Sequence, residues 1–376
     1  MNKELIEFRQ LLHKYPELSG NEYNTKQKII EYITPLHPDK VLEFGKTGVA
    51  FLFKGGIDGP RVMFRADIDA LPIYEESNLS YRSVINGIGH LCGHDGHSTI
   101  LYGLAERIAE NRPQEGEVLL LFQPAEETGQ GAFEMINTPE FVERWPDYIF
   151  GLHNIPGYPL NSVLLREGAF AASSRGMIIK LKGKTSHAAE PDKGISPVKM
   201  VAEIIQHFDD LQQLVSVFSN FVLCTIIHIR MGEKAFGTTP GEAEVMITLR
   251  SFEEEDMERM VNESEKVIAR LAADNNLLYH ISYTEIFPAT ENDKQCVAWL
   301  NDAALINTLN VIELDEPFRW SEDFGYYTKD IKAGFFGIGS GEDHPALHNP
   351  HYDFPDEIID TGINMFYALY KKILHT

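Results

Sequence analysis

Long apolar runs are missing from these 376 residues, and no window approaches the eighteen or so apolar residues that a membrane-spanning helix needs. Cysteine is scarce: Cys92, Cys224 and Cys296 are few, odd in number and widely spaced, which speaks against a disulfide framework. Positive charge is in deficit. With 33 Lys and Arg against 56 Asp and Glu, the net charge of −23 argues against nucleic acid or an anionic membrane as partner. The opening segment carries Lys3, Glu4, Glu7 and Arg9 inside its apolar pattern, so it lacks the unbroken apolar core of a signal peptide. A cytoplasmic location is the expectation. What is present is a globular composition, 43% hydrophobic and 11% aromatic, which is enough to build a core in one large domain or two ordinary ones.

Leu5, Ile6, Phe8 and Leu12 fall at helical spacing, and Pro16 ends that helix. A second helix is predicted from Glu22 to about Thr34. Short apolar runs follow at Val49–Phe53, Val62–Phe64, Val118–Phe122 and Tyr148–Leu152, with a helix over Ser98–Glu110 among them. Buried strands alternating with helices predict an α/β sheet covered on both faces. From about Arg175 the texture changes, and Met177, Ile179 and Leu181 alternate with polar neighbours as in a half-exposed strand. A helix near Pro197–Leu211, strands near Phe221–Ile229 and Ala243–Leu249, a helix near Asp256–Ala273 and a strand near His280–Ile286 complete a β-α-β-β-α-β order. That order predicts a small α+β sandwich, residues 175–289, inserted between residues 1–174 and 290–376 of the larger domain. The larger domain then closes with a helix (Val297–Leu309), a strand (Gly334–Ile338) and a final helix (Glu357–Leu374).

The densest chemical signal is Gly-His-Leu-Cys-Gly-His-Asp-Gly-His, residues 89–97. Thiolate and imidazole suit borderline-soft divalent metals, and Cys92-x-His94 reaches one centre if Gly93 and Gly96 let the backbone turn. Glu126 and Glu127 follow the run Val118–Phe122, flanked by Pro124 and Gly129. Two adjacent acids at a strand exit can divide the work, one ligating metal while the other accepts a proton from the attacking water. His153 follows a third apolar run, and His348 lies in a Gly- and Pro-rich loop where His344 and His351 are competitors that spacing does not exclude. Asp67 and Asp69 follow Val62–Phe64 and could orient a ligand histidine from behind. Five ligands exceed one tetrahedral zinc site with an open position; two metals sharing the thiolate would use them all.

These motifs resemble the aminoacylase and carboxypeptidase superfamily of co-catalytic metallohydrolases, in particular its hippurate hydrolase, N-acyl-amino-acid amidohydrolase and auxin-conjugate hydrolase branch. The resemblance runs from Leu12-His13-Lys14-Tyr15-Pro16-Glu17-Leu18-Ser19 to His348-Asn349-Pro350-His351-Tyr352-Asp353-Phe354. Between them lie Arg65–Pro72, Cys92–His97, Pro124–Glu127, Gly151–Asn154, Ser186-His187-Ala188-Ala189 and Ser321-Glu322-Asp323-Phe324. It implies a phosphorylase/hydrolase-like mixed-sheet catalytic domain with a ferredoxin-like satellite acting as lid or dimerisation unit. It implies that Cys92 bridges two divalent ions (Zn, Mn, Co or Ni) completed by His94, Glu127, His153 and His348. Glu126 is then the general base, and His187 a residue that contacts substrate and stabilises the tetrahedral intermediate, in some relatives by reaching into a partner subunit. Asp67 and Asp69 are expected behind the ligands. One departure stands out: Gly237-Thr238-Thr239-Pro240 occupies the place where many relatives have Asn-Val-Ile-Pro, so the Asn that helps the satellite hold substrate, near Arg250, is missing.

The expected activity is hydrolysis of an N-acyl amino acid to a carboxylate and a free amino acid. A dipeptidase or aminopeptidase is the rival within the same class, and a catalytically silent metal- or ligand-binding module is the rival outside it. The partner expected is a small molecule, with no nucleic acid and no membrane. A homodimer through the satellite and a monomer both fit the sequence.

Overall fold

The structure is a computed structural model and describes residues 2–211, 213 and 217–374. The chain divides into two compact units, one formed by Met1–Phe170, Thr290–Pro317 and Glu322–Thr376, the other by Ala171–Ala289 with Phe318–Ser321.

In the first unit, α1 (Lys3–Lys14) and α2 (Tyr23–Ile33) precede β1 (Lys40–Phe44), β2 (Gly48–Lys54) and β3 (Ile57–Asp67). Then come α3 (His94–Glu110), β4 (Glu115–Gln123), α4 (Gly131–Ile136), α5 (Pro139–Glu143), β5 (Tyr148–Ile155), β6 (Val163–Leu165) and β7 (Gly168–Ala171). The second unit contributes β8 (Ser173–Lys182), α6 (Val198–Leu211), β9 (Val222–Met231), β10 (Glu242–Ser251), α7 (Glu254–Asp274) and β11 (Leu278–Phe287). The first unit resumes with β12 (Thr290–Asn292), α8 (Lys294–Ile306), β13 (Val311–Glu313), α9 (Gly325–Thr328), β14 (Lys332–Gly339) and α10 (Ile359–Ile373).

Eight strands form a mixed sheet in the order β1-β2-β4-β3-β5-β14-β6-β13. Its centre, β4-β3-β5-β14, is parallel throughout, whereas β2 pairs antiparallel with β4 and β1, β6 pairs antiparallel with β14, and the edge strand β13 runs parallel to β6. The central strands read as continuous apolar runs because helices cover both faces, so neither side of the pleat meets water. Val118 to Phe122 are all fully buried, as are Val62 to Phe64. Helix α1 starts on a side-chain cap, the Asn2 carboxamide oxygen accepting the Glu4 N–H at 3.0 Å, and buries Leu5, Phe8 and Leu12.

The second unit is a four-stranded antiparallel sheet, β11-β8-β10-β9, with the β-α-β-β-α-β order read from the sequence. Met177, Ile179 and Leu181 of β8 and Val245, Ile247 and Leu249 of β10 point to one face, where Met200, Ile204, Phe208, Met260 and Ile268 of the two helices join them in one core. Lys180 and Lys182 stay exposed on the opposite face, the period of 2 expected of a half-covered sheet.

Three local expectations are corrected. Helix α3 begins at His94, four residues before Ser98, so the Cys92-Gly93-His94 motif runs into the helix itself. Gly96 is therefore helical and not part of a turn. A Cβ there would meet the Phe354 ring at 2.3 Å, so close packing is what it serves. Strand β5 continues past Leu152 to Ile155, because His153, Asn154 and Ile155 pair in parallel with Gly337, Ile338 and Gly339 of β14. The short strands β1, β6, β7, β12 and β13 and the helices α4, α5 and α9 are additions that no long periodic pattern announces. No helix among the described residues is long and apolar enough to cross a membrane.

Candidate metal centre

Because β4, β3, β5 and β14 are parallel neighbours, their C-terminal ends share one edge, which is where open α/β sheets place their sites. Asp67 ends β3 and Asp69 follows it. Glu126 and Glu127 follow β4, His153 and Asn154 lie on the last residues of β5, and the loop after β14 carries His348. Cys92 and His94 flank Gly93, whose φ of 96° is left-handed and whose missing Cβ leaves room for the Asn154 carboxamide. Two other residues of the site are held in the same region of φ, Ala125 at 55° and His348 at 65°. Each is fixed by its own N–H: Ala125 donates to Glu22 Oε1 at 2.9 Å, and His348 donates to the Leu91 carbonyl at 2.8 Å. Strain of this kind persists only where the surroundings impose it, and it gathers at functional sites.

The donor atoms converge. Cys92 Sγ belongs to two clusters, one with His94 and His153 and one with Glu127 and His348, and within each cluster the atoms lie within 4.8 Å of one another. Cys92 Sγ is 3.5 Å from His153 Nε2, Glu127 Oε1 is 3.8 Å from His94 Nε2, and the same Oε1 is 3.6 Å from His348 Nε2. Glu126 Oε2 stands 4.0 Å from His94 Nε2, and Glu126 Oε1 accepts the Asp323 N–H at 3.3 Å. Of the three histidines in the last loop, only His348 faces the cluster. His344 Nε2 sits 2.7 Å from the Asp353 carbonyl, and His351 lies 3.7 Å from Glu76.

The expected orienting acids are behind the histidines. His94 Nδ1 lies 3.0 Å from the Asp69 carbonyl and 3.2 Å from its carboxylate, and His153 Nδ1 lies 2.9 Å from the Asn154 carbonyl. A carbonyl can only accept, so each ring carries a proton on Nδ1 and turns Nε2 to the cluster. Asp69 also accepts from Ser19 Oγ at 2.7 Å and from the Glu127 N–H at 3.1 Å, tying two of the contributing loops together.

Several contributors carry no assignment from the sequence. His97 lies 2.6 Å from Asp67 through Nδ1, and its Nε2 meets the Asn154 carboxamide, which in turn reaches the Tyr352 hydroxyl. Fully buried Arg65 donates to Asp67 at 2.7 Å, Glu322 at 2.9 Å, Asp323 at 2.8 Å and Gln123 at 2.9 Å. A lone cationic residue directly after the apolar run Val62–Phe64 was the available signal for that hub. Glu22 had none.

Electrostatics separate this cluster from an ordinary ion-pair network. Burial, then the charges of Glu322 and Glu127, push the Glu126 carboxyl well above the carboxylate range, and burial with Asp69 raises Glu127 to about 7. Burial and Glu127 likewise push the Cys92 thiol up, and burial holds His153 far down. His94 moves the other way: Asp67 and Asp69 overcome its burial and carry it to about 10. No lysine or arginine among the described residues forms an ion pair with Glu126 or Glu127. Two buried atoms that face the cluster, His94 Nε2 and Glu127 Oε1, have no hydrogen-bond partner among the described residues. Orphaned donor-set atoms amid uncompensated acids are what cations would satisfy, so the residues fit a metal pair.

His187 belongs to the second unit, where it is exposed and lies opposite Thr238 in an isolated antiparallel bridge.

A mixed α/β sheet with this donor set at its C-terminal edge defines a metal-dependent amidohydrolase of the two-metal type. The chain belongs to peptidase family M20/M25/M40, which residues 63–372 match. It is 33% identical to the N-acetyldiaminopimelate deacetylase of Exiguobacterium sibiricum, over 98% of each chain. It is 32% identical to an N-acetyl-L-cysteine deacetylase of Bacillus subtilis, over 100% of this chain and 89% of that one. Among solved structures, a dinuclear metal-binding peptidase of the M20 family from Bacillus subtilis superposes with a TM-score of 0.84 at 29% identity, covering 99% of this chain and 98% of that chain.

Proposed function

We propose that this protein hydrolyses the amide bond of N-acyl amino acids, N-acetyl amino acids foremost, to a carboxylate and a free amino acid. The observation that carries the reading is the position of Cys92 Sγ in both donor clusters, with Glu126 beside them and not needed in either. Cys92, with His94 and His153 on one side and Glu127 and His348 on the other, would hold the two ions. A thiolate, imidazole and carboxylate set accepts Zn, Mn, Co or Ni. Such a pair supplies Lewis acidity, acidifying the attacking water and polarising the amide carbonyl.

Glu126 takes the proton of the attacking water as its oxygen bonds to the carbonyl carbon. Glu126 then returns that proton to the departing nitrogen as the C–N bond breaks, leaving a free amine. Its Oε1 is steadied by the Asp323 N–H, which leaves Oε2 for proton transfer. His187 is assigned the donor to the developing oxyanion. Arg250 donates to the Arg319 carbonyl at 3.0 Å and to Ser321 Oγ at 2.9 Å and has no carboxylate partner among the described residues. Its charge is thus free for the carboxylate of an amino-acid substrate. The names of the two deacetylase relatives support the acyl-amino-acid class over free-amine peptides.

Cytoplasm suits an enzyme that needs Cys92 as a thiolate, and Cys92 is in no disulfide. A homodimer through the second unit is supported by edge strand β9, which exposes Ile227 and Ile229.

The test is a panel of N-acetyl and N-benzoyl amino acids, acylated diaminopimelate and unblocked dipeptides, assayed after chelation and again after readdition of Zn, Mn, Co or Ni. Acyl-amino-acid turnover should vanish on chelation and return with metal. Turnover of the dipeptides alone would refute the reading.

A further inference from the structure

The loop that carries His187 is built against the departing segment Gly237–Pro240, within the second unit. Backbone bonds lay the two side by side: the Thr239 N–H donates to the Ser186 carbonyl at 2.9 Å and the Ala188 N–H to the Gly237 carbonyl at 3.0 Å. The Thr239 side chain adds what a hydrocarbon there could not. Its Oγ1 accepts the Ser186 N–H at 2.9 Å and lies 2.9 Å from Ser186 Oγ, so the residue just before His187 is gripped through both backbone and hydroxyl. Beyond His187 the chain turns on itself. The Glu190 N–H donates to the His187 carbonyl at 2.9 Å, and the Ala189 N–H donates to His187 Nδ1 at 3.1 Å.

The last of these bonds has a chemical consequence. With Nδ1 accepting, the proton of the neutral imidazole sits on Nε2, and the exposed ring presents an N–H donor. A donor whose orientation and tautomer are set beforehand needs no reorganisation when negative charge develops on an oxygen in front of it.

We propose that Thr239 is a positioning residue for His187. Its hydroxyl clamps Ser186, the clamp fixes the turn Ser186–Glu190, and the turn holds the imidazole as an Nε2–H donor. This rests on the role given to His187 above. It also gives the Gly237–Pro240 departure a purpose, since the hydroxyl belongs to this chain's own version of that segment.

The experiment uses the metal-loaded full chain with an N-acetyl amino acid as substrate. Thr239→Val, which keeps shape and removes the hydroxyl, should lower kcat on the order of tenfold with KM little changed, and Thr239→Ser should restore it. Nitrogen-15 spectra of histidine-labelled protein, with His187 assigned by its loss in His187→Ala, should show an unprotonated Nδ1 in the wild type and in Thr239→Ser. In Thr239→Val the two tautomers should be averaged. Should Thr239→Val fail to fold, Ser186→Ala removes the same hydroxyl pair from the other side. Wild-type kcat in Thr239→Val alongside an inactive His187→Ala overturns the proposal, and so does a fall in kcat with the tautomer signal unmoved. If His187→Ala turns over normally, the role of His187 has failed, not the clamp; the tautomer spectrum then decides the clamp by itself.

Discussion

Two buried clusters of charge lie back to back in the first unit, joined through neighbours His94 and Asp95, and they are wired oppositely. Behind the proposed metal ligands, Arg9 of α1 donates to Asp95 at 3.1 Å, Asp353 at 2.9 Å and Tyr81 at 3.1 Å, and also reaches Asp356. His13 lies 2.9 Å from Asp95 and 3.3 Å from Glu75. Every carboxylate in that group faces a cation. In the candidate metal cluster Glu126 and Glu127 face each other's charge, and the nearest cation is His94, whose Nε2 proton a metal would displace. The first arrangement suits holding the ends of α1 and α3 and the loop after His348 in register. The second gathers acids that bound cations would neutralise, and that is the mark of a working site.

The sharpest way to break this contrast is at Glu126. Glu126→Gln should keep bound metal, measured by elemental analysis, yet lose turnover by about 10²–10⁴-fold, the range expected when a general acid–base is removed. Thermal unfolding of the metal-free variant should be unchanged or raised, because a strained acid has been replaced by a neutral isostere. Cys92→Ser should differ by losing the metal itself, since one change weakens both clusters. A Glu126→Gln enzyme with wild-type turnover would remove the general base from the account.

Next in size is Arg9→Met. It strands Asp356 without its cation and leaves Asp95 and Asp353 with His13 alone, and breaking a buried pair from one side costs about 3–5 kcal/mol. Denaturant unfolding should show that loss. Surviving folded enzyme should retain kcat at low temperature, the reverse of the Glu126 pattern. Equal loss of kcat in the two variants would erase the distinction between the clusters.

The proposed ligands are legible because each stands directly after an apolar run or in a glycine-rich turn, where a buried structural residue has no reason to be polar. Asp67 and Asp69 were legible for the same reason. Arg65 was not, since its partners Glu322 and Asp323 are more than 250 residues away in sequence and no local pattern joins them. Spacing alone leaves His348, His344 and His351 open; the resemblance points to His348, and the loop path that a left-handed His348 sets turns that histidine to the cluster. In the fold, β6 and β13 are three residues each and exist only through pairing with distant strands. The attachment of Phe318–Ser321 to the second unit rests on the Ala172 N–H reaching the carbonyls of Phe318 and Trp320 at 2.9 and 3.1 Å, a bond that periodicity cannot announce.

The smallest expected effect is a pH dependence of the neutralised cluster alone. Burial by itself would lower His13, but the hydrogen bond and charge of Asp95, aided by Glu75, outweigh it and raise the imidazolium to about 9 from an ordinary 6.5. A folded-state value above the unfolded one means that the pair's contribution is complete below pH 6.5 and drains away as pH rises to about 9. Wild-type thermal stability should therefore fall across that window, and His13→Gln, less stable at pH 6, should lose less over the same interval. Parallel slopes for the two proteins would mean that His13 is not charged in the folded state, and the cluster around Arg9 would then be no better neutralised than the one around Glu126.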